Sequence, residues 1–217
     1  MNYIGMLENN IKIQERMDKI MTEDNFELST RYLVYIHEVL FKGIIFESGK
    51  VRKQNLYKEQ DVINWESVKY PDYNIVYSLL RWAFDKEKQV DNKNVSIDKL
   101  CDNMTKFWAE LWLIHPFCEG NTRTTTVFME KYLQSLGIVV DNMTFKTNAK
   151  YFRDCLVRAN YSNEEFGITS NMEPLRNFIY HVITGTPEDI EFEDLYITER
   201  FAKEEKNGTK RRRLIRL

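Results

Sequence analysis

The feature that most constrains the fold of this chain is a pair of helix signals meeting at a proline. From Ser96 to Ile114, SIDKLCDNMTKFWAELWLI carries apolar residues at helical spacing, with Ser96 as N-cap ahead of Asp98. His115-Pro116 halts it, because proline disfavours the α conformation in the residue before it. A second helix is predicted from Asn121 or Thr122 to Leu136, with Gly137 at C′. A chain built round such a helix-loop-helix corner packs helix on helix. Only eight Gly and four Pro in 217 residues agree with long regular elements.

The same period predicts an N-terminal amphipathic helix through Ile4, Leu7, Ile11, Met17, Ile20 and Met21. It also predicts a stronger helix capped by Ser29, with Leu33, Ile36, Leu40 and Phe41 on one face and Gly43 as its stop. Further helices are read in NIVYSLLRWAFDKEK, NAKYFRDCLVRAN and EPLRNFIYHVIT, the last closed by Gly185. Residues 44–65 lose the helical period, and GKVRKQNLYKEQDVI reads as loop plus a short hairpin. Thr186-Pro187-Glu188 reads as the start of a final helix. The chain is thus expected to be one mostly α domain with decorated ends.

With 43% apolar and 29% charged residues, the sequence is that of a folded protein with a sizeable core. A net charge of −2 gives no general attraction to nucleic acid or anionic membrane. Residues 188–205 hold eight acids against two bases, and residues 206–217 hold six bases and no acid, which reads as a solvated face and a loose basic tail. No signal-like start and no 18-residue apolar span occur, so the expected setting is cytoplasmic, with no membrane partner. Cys101, Cys118 and Cys155 lack metal-ligand spacing and fit reduced thiols. Cys118 lies in the corner, but no His-Asn or His-Asp arrangement surrounds it.

The corner itself, HPFCEGNTRTTT, has chemical content. A helix N-terminus offers unpaired N–H groups and partial positive charge, and so binds anions. Gly120 permits close backbone approach, Asn121 adds an amide donor and Arg123 offers a bidentate phosphate contact. Glu119 beside this cradle would repel a bare phosphate, and makes sense if it holds Mg²⁺ against substrate phosphates. His115 is then a base at the mouth. The plain alternative is a capped helix-loop-helix turn with a packed histidine, and these features taken singly leave both readings open.

HPFCEGNTRTTT resembles the Fic-family motif, His-Pro-Phe-x-Asp/Glu-Gly-Asn-Gly-Arg-x-x-Arg. LSTRYLVYIHEVLF and SGKVRKQNLYK are similar to the leading helix and flap of that family, and YFRDCLVRA to the helix that follows; together they span about residues 29–160. The resemblance implies a mostly α Fic fold, a helical bundle with a short β-hairpin flap beside the active-site corner. It implies a protein adenylyltransferase moving AMP from ATP, with Mg²⁺, to a Ser, Thr or Tyr hydroxyl of a protein substrate. His115 would be the general base, Glu119 the metal ligand, and Gly120, Asn121, Thr122, Arg123 and Thr126 the phosphate site. Phe117 would anchor the loop, and Leu56, Tyr57 and Lys58 would form a flap that docks the target by strand addition. Tyr151 and Phe152 fall where the family has part of its nucleoside pocket. The implied organisation is an N-terminal helix packed on the domain (1–28), a Fic core (29–165), a helical extension (166–205) and the basic tail (206–217).

Two positions depart from that motif. Thr122 stands where the motif has Gly; its N–H survives, and ordinary φ is expected of a β-branched residue. Thr126 stands where the second Arg would meet the outer phosphates, a loss worth about 1.5–3 kcal/mol. The alternatives that follow are transfer from another phosphate donor, including phosphotransfer, or a weakly active nucleotide- or protein-binding module. The family's inhibitory Ser/Thr-x-x-x-Glu-Gly/Asn signature finds no full match: Thr126…Glu130, Thr169…Glu173 and Thr184…Glu188 all lack the following Gly or Asn. A separate inhibitory protein and homo-oligomerisation through helix faces stay open. His37 and His181 read as packed or surface residues, the tryptophans as core, and Arg52 and Lys53 as solvated.

Overall fold

The structure, a computed structural model, describes residues 3–186 and 195–197. The last helix expected from Thr186 and the basic tail therefore lie outside the described residues. Helix α1 (Tyr3–Thr22) and helix α2 (Thr30–Phe41) come first. A two-stranded antiparallel hairpin follows, β1 (Glu59–Gln60) and β2 (Glu66–Ser67), with Glu59 opposite Ser67. The chain is helical again in α3 (Val76–Glu87), α4 (Ile97–Ile114), α5 (Asn121–Ser135), α6 (Asn142–Thr147), α7 (Ala149–Asn160) and α8 (Glu173–Thr184).

Local chemistry sets the ends. The Ser29 hydroxyl accepts from the Tyr32 N–H at 3.1 Å, and the Ser96 hydroxyl from that of Lys99 at 3.2 Å, as their N-cap positions require. Helix α4 stops at His115, which takes the left-handed conformation (φ 48°) ahead of Pro116. Helix α6, with Asp141 as its cap, has no counterpart in the sequence reading, since six residues are too few for the helical period to show.

Helix α4 is the central post. Trp108 and Trp112 are almost wholly buried on it, and α3, α5, α7 and α8 all pack against it. Helix α1 lies across α2 and α5. Its buried residues are Ile13 and Ile20, with Met17 and Met21 beside them, whereas Leu7 and Ile11 face outward. The expected apolar stripe is thus rotated at its N-terminal half, because the first turns border an open cleft. The expectation that the tryptophans are core holds for Trp108 and Trp112 and fails for Trp65 and Trp82, which are exposed at the hairpin turn and on α3. Residues 195–197 return to the hairpin, where the Ile197 N–H meets the Val62 carbonyl at 3.2 Å.

Candidate active site

His115 owes its place to its backbone. Its carbonyl accepts from Arg52 Nε at 2.8 Å, while the other guanidinium nitrogens donate to the carbonyls of Gln54 (2.8 Å) and Pro71 (2.6 Å). The Arg52 N–H also meets the Pro116 carbonyl at 2.8 Å. Arg52 is therefore not solvated, as its setting in KVRKQ suggested, but 2% exposed, its planar fork satisfied by three carbonyls. It ties the flap segment to the turn that carries His115.

The His115 ring is held by two aromatic neighbours. Tyr70 lies 4.2 Å away by ring centroids and Trp112 meets it edge-on at 5.2 Å. Nδ1 lies 3.2 Å from the Trp112 carbonyl, which can only accept, so Nδ1 carries the proton and Nε2 keeps its lone pair. Burial, then the nearby Lys58 ammonium and Arg52, push the pKa down to about 3, so the ring is neutral at physiological pH.

The loop after it is braced from inside. Phe117 is buried and stacks on His37 at 3.7 Å, nearly parallel. His37 Nδ1 accepts from the Gly49 N–H at 2.8 Å, so Nε2 bears the hydrogen and donates to the Glu119 carbonyl at 3.0 Å. His37 is thus packed, as expected, and is also a loop brace. Asn121 differs from its expected role. Its Oδ1 accepts from the Phe117 N–H (2.9 Å) and its Nδ2 donates to the Phe117 carbonyl (2.6 Å), so its amide staples the loop.

At the start of α5, Thr124 is the first residue whose N–H is bonded along the helix, to the Gly120 carbonyl at 3.0 Å. The N–H groups of Asn121, Thr122 and Arg123 are left facing a cleft of about 780 Å³. Gly120 can supply the turn because it sits at φ +78°. Thr122 keeps ordinary φ, as expected, and its hydroxyl accepts from Trp112 Nε1 at 3.0 Å. Arg123 is exposed to this cleft and its guanidinium meets no partner among the described residues; desolvation by the walls lowers its pKa. Thr126 is turned elsewhere. It is 6% exposed, its hydroxyl donates to the Thr122 carbonyl at 2.8 Å, and it lines a separate smaller cavity.

Glu119 lies at the mouth, its Oε1 paired with Lys58 Nζ at 2.9 Å. Lys58 also donates to the Cys118 carbonyl at 2.7 Å, so this flap residue reaches into the cleft. Leu56 is half-buried and Tyr57 is 68% exposed beyond the cleft wall. Tyr151 and Phe152 are buried against Phe178, and neither lines the large cleft; Phe152 borders the small cavity. On that side the cleft is walled instead by Ala149 and Arg153. Arg153 escaped the sequence reading, because one arginine on a helix face carries no signal of what it faces.

A neutral histidine with a free nitrogen, three open N–H groups and a guanidinium unpaired among the described residues can accept a proton beside a bound phosphoryl group. Comparison with known proteins places the fold. Residues 27–133 match the Fic/DOC family. Among solved structures, the BepC protein of Bartonella tribocorum with bound AMPPNP is similar at a TM-score of 0.65 and 19% identity, over 85% of this chain and 87% of that one. The N-terminal Fic domain of a Bartonella quintana effector with bound ADP gives 0.66 and 18%, over 82% and 83%. The FIC domain of Bep8 from Bartonella sp. 1-1C gives 0.66 and 16%, over 84% and 87%. No helix among the described residues is long and apolar enough to cross a membrane.

Proposed function

The chain belongs to the Fic/DOC family through residues 27–133, and on that premise we propose that it transfers AMP from ATP to a Ser, Thr or Tyr hydroxyl of another protein. The observation that carries this reading is the unprotonated Nε2 of His115 at the rim of the α5 N-terminus. A binding module has no use for a base there. The bound nucleotides of the Bartonella tribocorum and Bartonella quintana relatives support a nucleotide as ligand.

In this reading the hydroxyl of the target passes its proton to His115 Nε2 as its oxygen attacks the α-phosphorus. The bond from that phosphorus to the bridging oxygen breaks, and pyrophosphate leaves with the electron pair. Charge building on the phosphoryl oxygens meets the N–H groups of Asn121, Thr122 and Arg123 and the Arg123 guanidinium, already oriented before substrate arrives. Phosphates arriving near Lys58 offset the cation that depresses the His115 pKa, which makes the imidazole a stronger base when the nucleotide is bound.

The residues present fit Mg²⁺. Glu119 is exposed, its Oε2 has no partner among the described residues, and one carboxylate with substrate phosphates suits this ion. Bound there, Mg²⁺ would neutralise phosphate charge. In this reading the hairpin and the exposed Tyr57 before it dock an extended piece of target, in a cytoplasmic setting.

One observation favours a second reading, transfer of the γ-phosphate with the nucleotide reversed. Thr126 offers outer phosphates no cation, and the small cavity beside it sets Asp18 and Glu130 against Arg123 and Lys146. The test is incubation with ATP, Mg²⁺ and host lysate, followed by mass spectrometry of the modified proteins. AMP on a hydroxyl side chain, absent with His115→Ala, supports the proposal; phosphate alone on such a residue, equally dependent on His115, replaces it with the second reading.

A further inference from the structure

The hairpin β1–β2 cannot hold its own place. Its ladder has two residue pairs, Glu59 with Ser67 and Gln60 with Glu66, and a lone two-stranded hairpin is marginal in water. Its turn is strained as well. Asn64 and Trp65 both sit at positive φ, 54° and 63°, which a bulky residue such as Trp65 adopts only under constraint. The constraint comes from outside the hairpin. Val62 and Ile63 are buried in the core, and Asp61 just before them carries a polar tether.

Asp61 joins three parts of the chain. Its Oδ1 accepts from the Val62 N–H at 3.0 Å, within the turn itself. Its Oδ2 pairs with Lys150 Nζ on α7 at 3.0 Å and accepts from the Tyr196 hydroxyl at 3.2 Å. Lys150 in turn pairs with the wholly buried Asp154 at 2.7 Å and donates to the Tyr196 oxygen at 2.8 Å. The Tyr196 hydroxyl thus accepts from α7 and donates to the hairpin at once. Its neighbours put it there: Leu195 and Ile197 are buried on either side, and the Ile197 N–H reaches the Val62 carbonyl at 3.2 Å. Arg153 adds little, since its guanidinium lies 3.6 Å from Asp61.

We propose that residues 195–197 latch the hairpin onto α7, with the Tyr196 hydroxyl as the catch, and so set where a docked target presents its hydroxyl to His115. The inference rests on the reading of the hairpin as the edge that docks the target. Tyr196 is a positioning residue: it acts through Asp61 and does not line the cleft. The hairpin carries the effect inward, because Lys58, Glu59 and Gln60 line the cleft together with His115. The phosphate cradle stands on α4 and α5, so releasing the catch moves the docking edge and leaves the cradle in place.

The test compares the full chain with Tyr196→Phe, which keeps the ring and removes the hydroxyl, and with Tyr196→Ala. Three quantities are measured: amide hydrogen exchange over residues 58–67 and over α4, ATP-Mg²⁺ affinity by calorimetry, and label transfer from α-labelled ATP to a dilution series of host lysate. In Tyr196→Phe the hairpin amides should exchange about fivefold faster, as loss of one hydrogen bond predicts, and faster still in Tyr196→Ala. Exchange in α4 and ATP affinity should stay at wild-type values. The lysate concentration that half-saturates labelling should rise in the same order, with the plateau kept; a merely structural role would not move it. Hairpin exchange at the wild-type rate in both variants overturns the latch and leaves the docking role standing. Faster exchange with an unchanged half-saturating concentration overturns the inference, because the hairpin's position then does not govern how targets bind. If wild type labels no protein, the transfer reading fails and the inference with it.

Discussion

Gly120→Ala should be far more damaging than Gly137→Ala, although the two glycines have nearly the same backbone. Both lie in the left-handed region, at φ +78° and +84°. Each substitution therefore carries the left-handed strain of an L-residue, about 1–2 kcal/mol. Each also gains about 0.4–1 kcal/mol from a less flexible unfolded chain. The surroundings differ. A Cβ at Gly120 would lie 2.4 Å from Phe41 Cε2 and 2.5 Å from Cζ, whereas one at Gly137 meets nothing within 4 Å. Phe41 cannot yield, being 1% exposed and packed on His37. Overpacking of this kind costs about 1–3 kcal/mol, and only at Gly120. Urea denaturation of the two variants beside wild type measures the difference directly, and calorimetry with ATP measures the cradle. Gly120→Ala should unfold at lower urea by that extra margin and lose ATP binding, while Gly137→Ala keeps it. Equal stability losses would refute the claim that the loop is pressed against Phe41.

Three further outcomes follow from the buried charges. Glu130 has a folded-state pKa of about 8 against 4.5 unfolded, so the folded state holds its proton more tightly and stability falls as pH rises between those values. Glu130→Gln should gain on wild type across that window, by on the order of a few kcal/mol at its upper end; a pH-independent difference in thermal midpoint would contradict it. Arg52→Met should cost about 1–3 kcal/mol and abolish transfer, because it strips donors from the carbonyls of His115, Gln54 and Pro71; a stable and active variant would remove Arg52 from the account. Since Lys58 helps depress His115, Lys58→Met should raise the His115 titration midpoint from about 3, read by NMR of the imidazole protons. In wild type the same depression removes stability as pH falls from the unfolded value of 6.5 towards 3.

Much of the scaffold was legible because it is written locally. Ser29 and Ser96 each declare a helix start through a hydroxyl that reaches three residues on, and His115-Pro116 and Gly137 declare stops through backbone sterics. The open N–H groups of the corner were legible for the same reason, since they follow from a helix beginning after Gly120. What the sequence hid depends on contacts across the chain. Arg52 looks solvated among lysines until the carbonyls of His115 and Pro71 are brought to it. Asn121 looks like a phosphate donor until the loop folds back and takes both ends of its amide. Glu130 enters the sequence only as an acid four residues after Thr126; its isolation appears when α1 and Phe152 close over it.

The most direct measurement of the central claim uses ATP labelled on the α-phosphate in one reaction and on the γ-phosphate in another. Each contains Mg²⁺ and host lysate, and each is run beside His115→Ala. The account predicts that the α-label moves onto protein, the γ-label does not, and His115→Ala abolishes the signal. Transfer of the γ-label alone, or α-label transfer that survives His115→Ala, would contradict it.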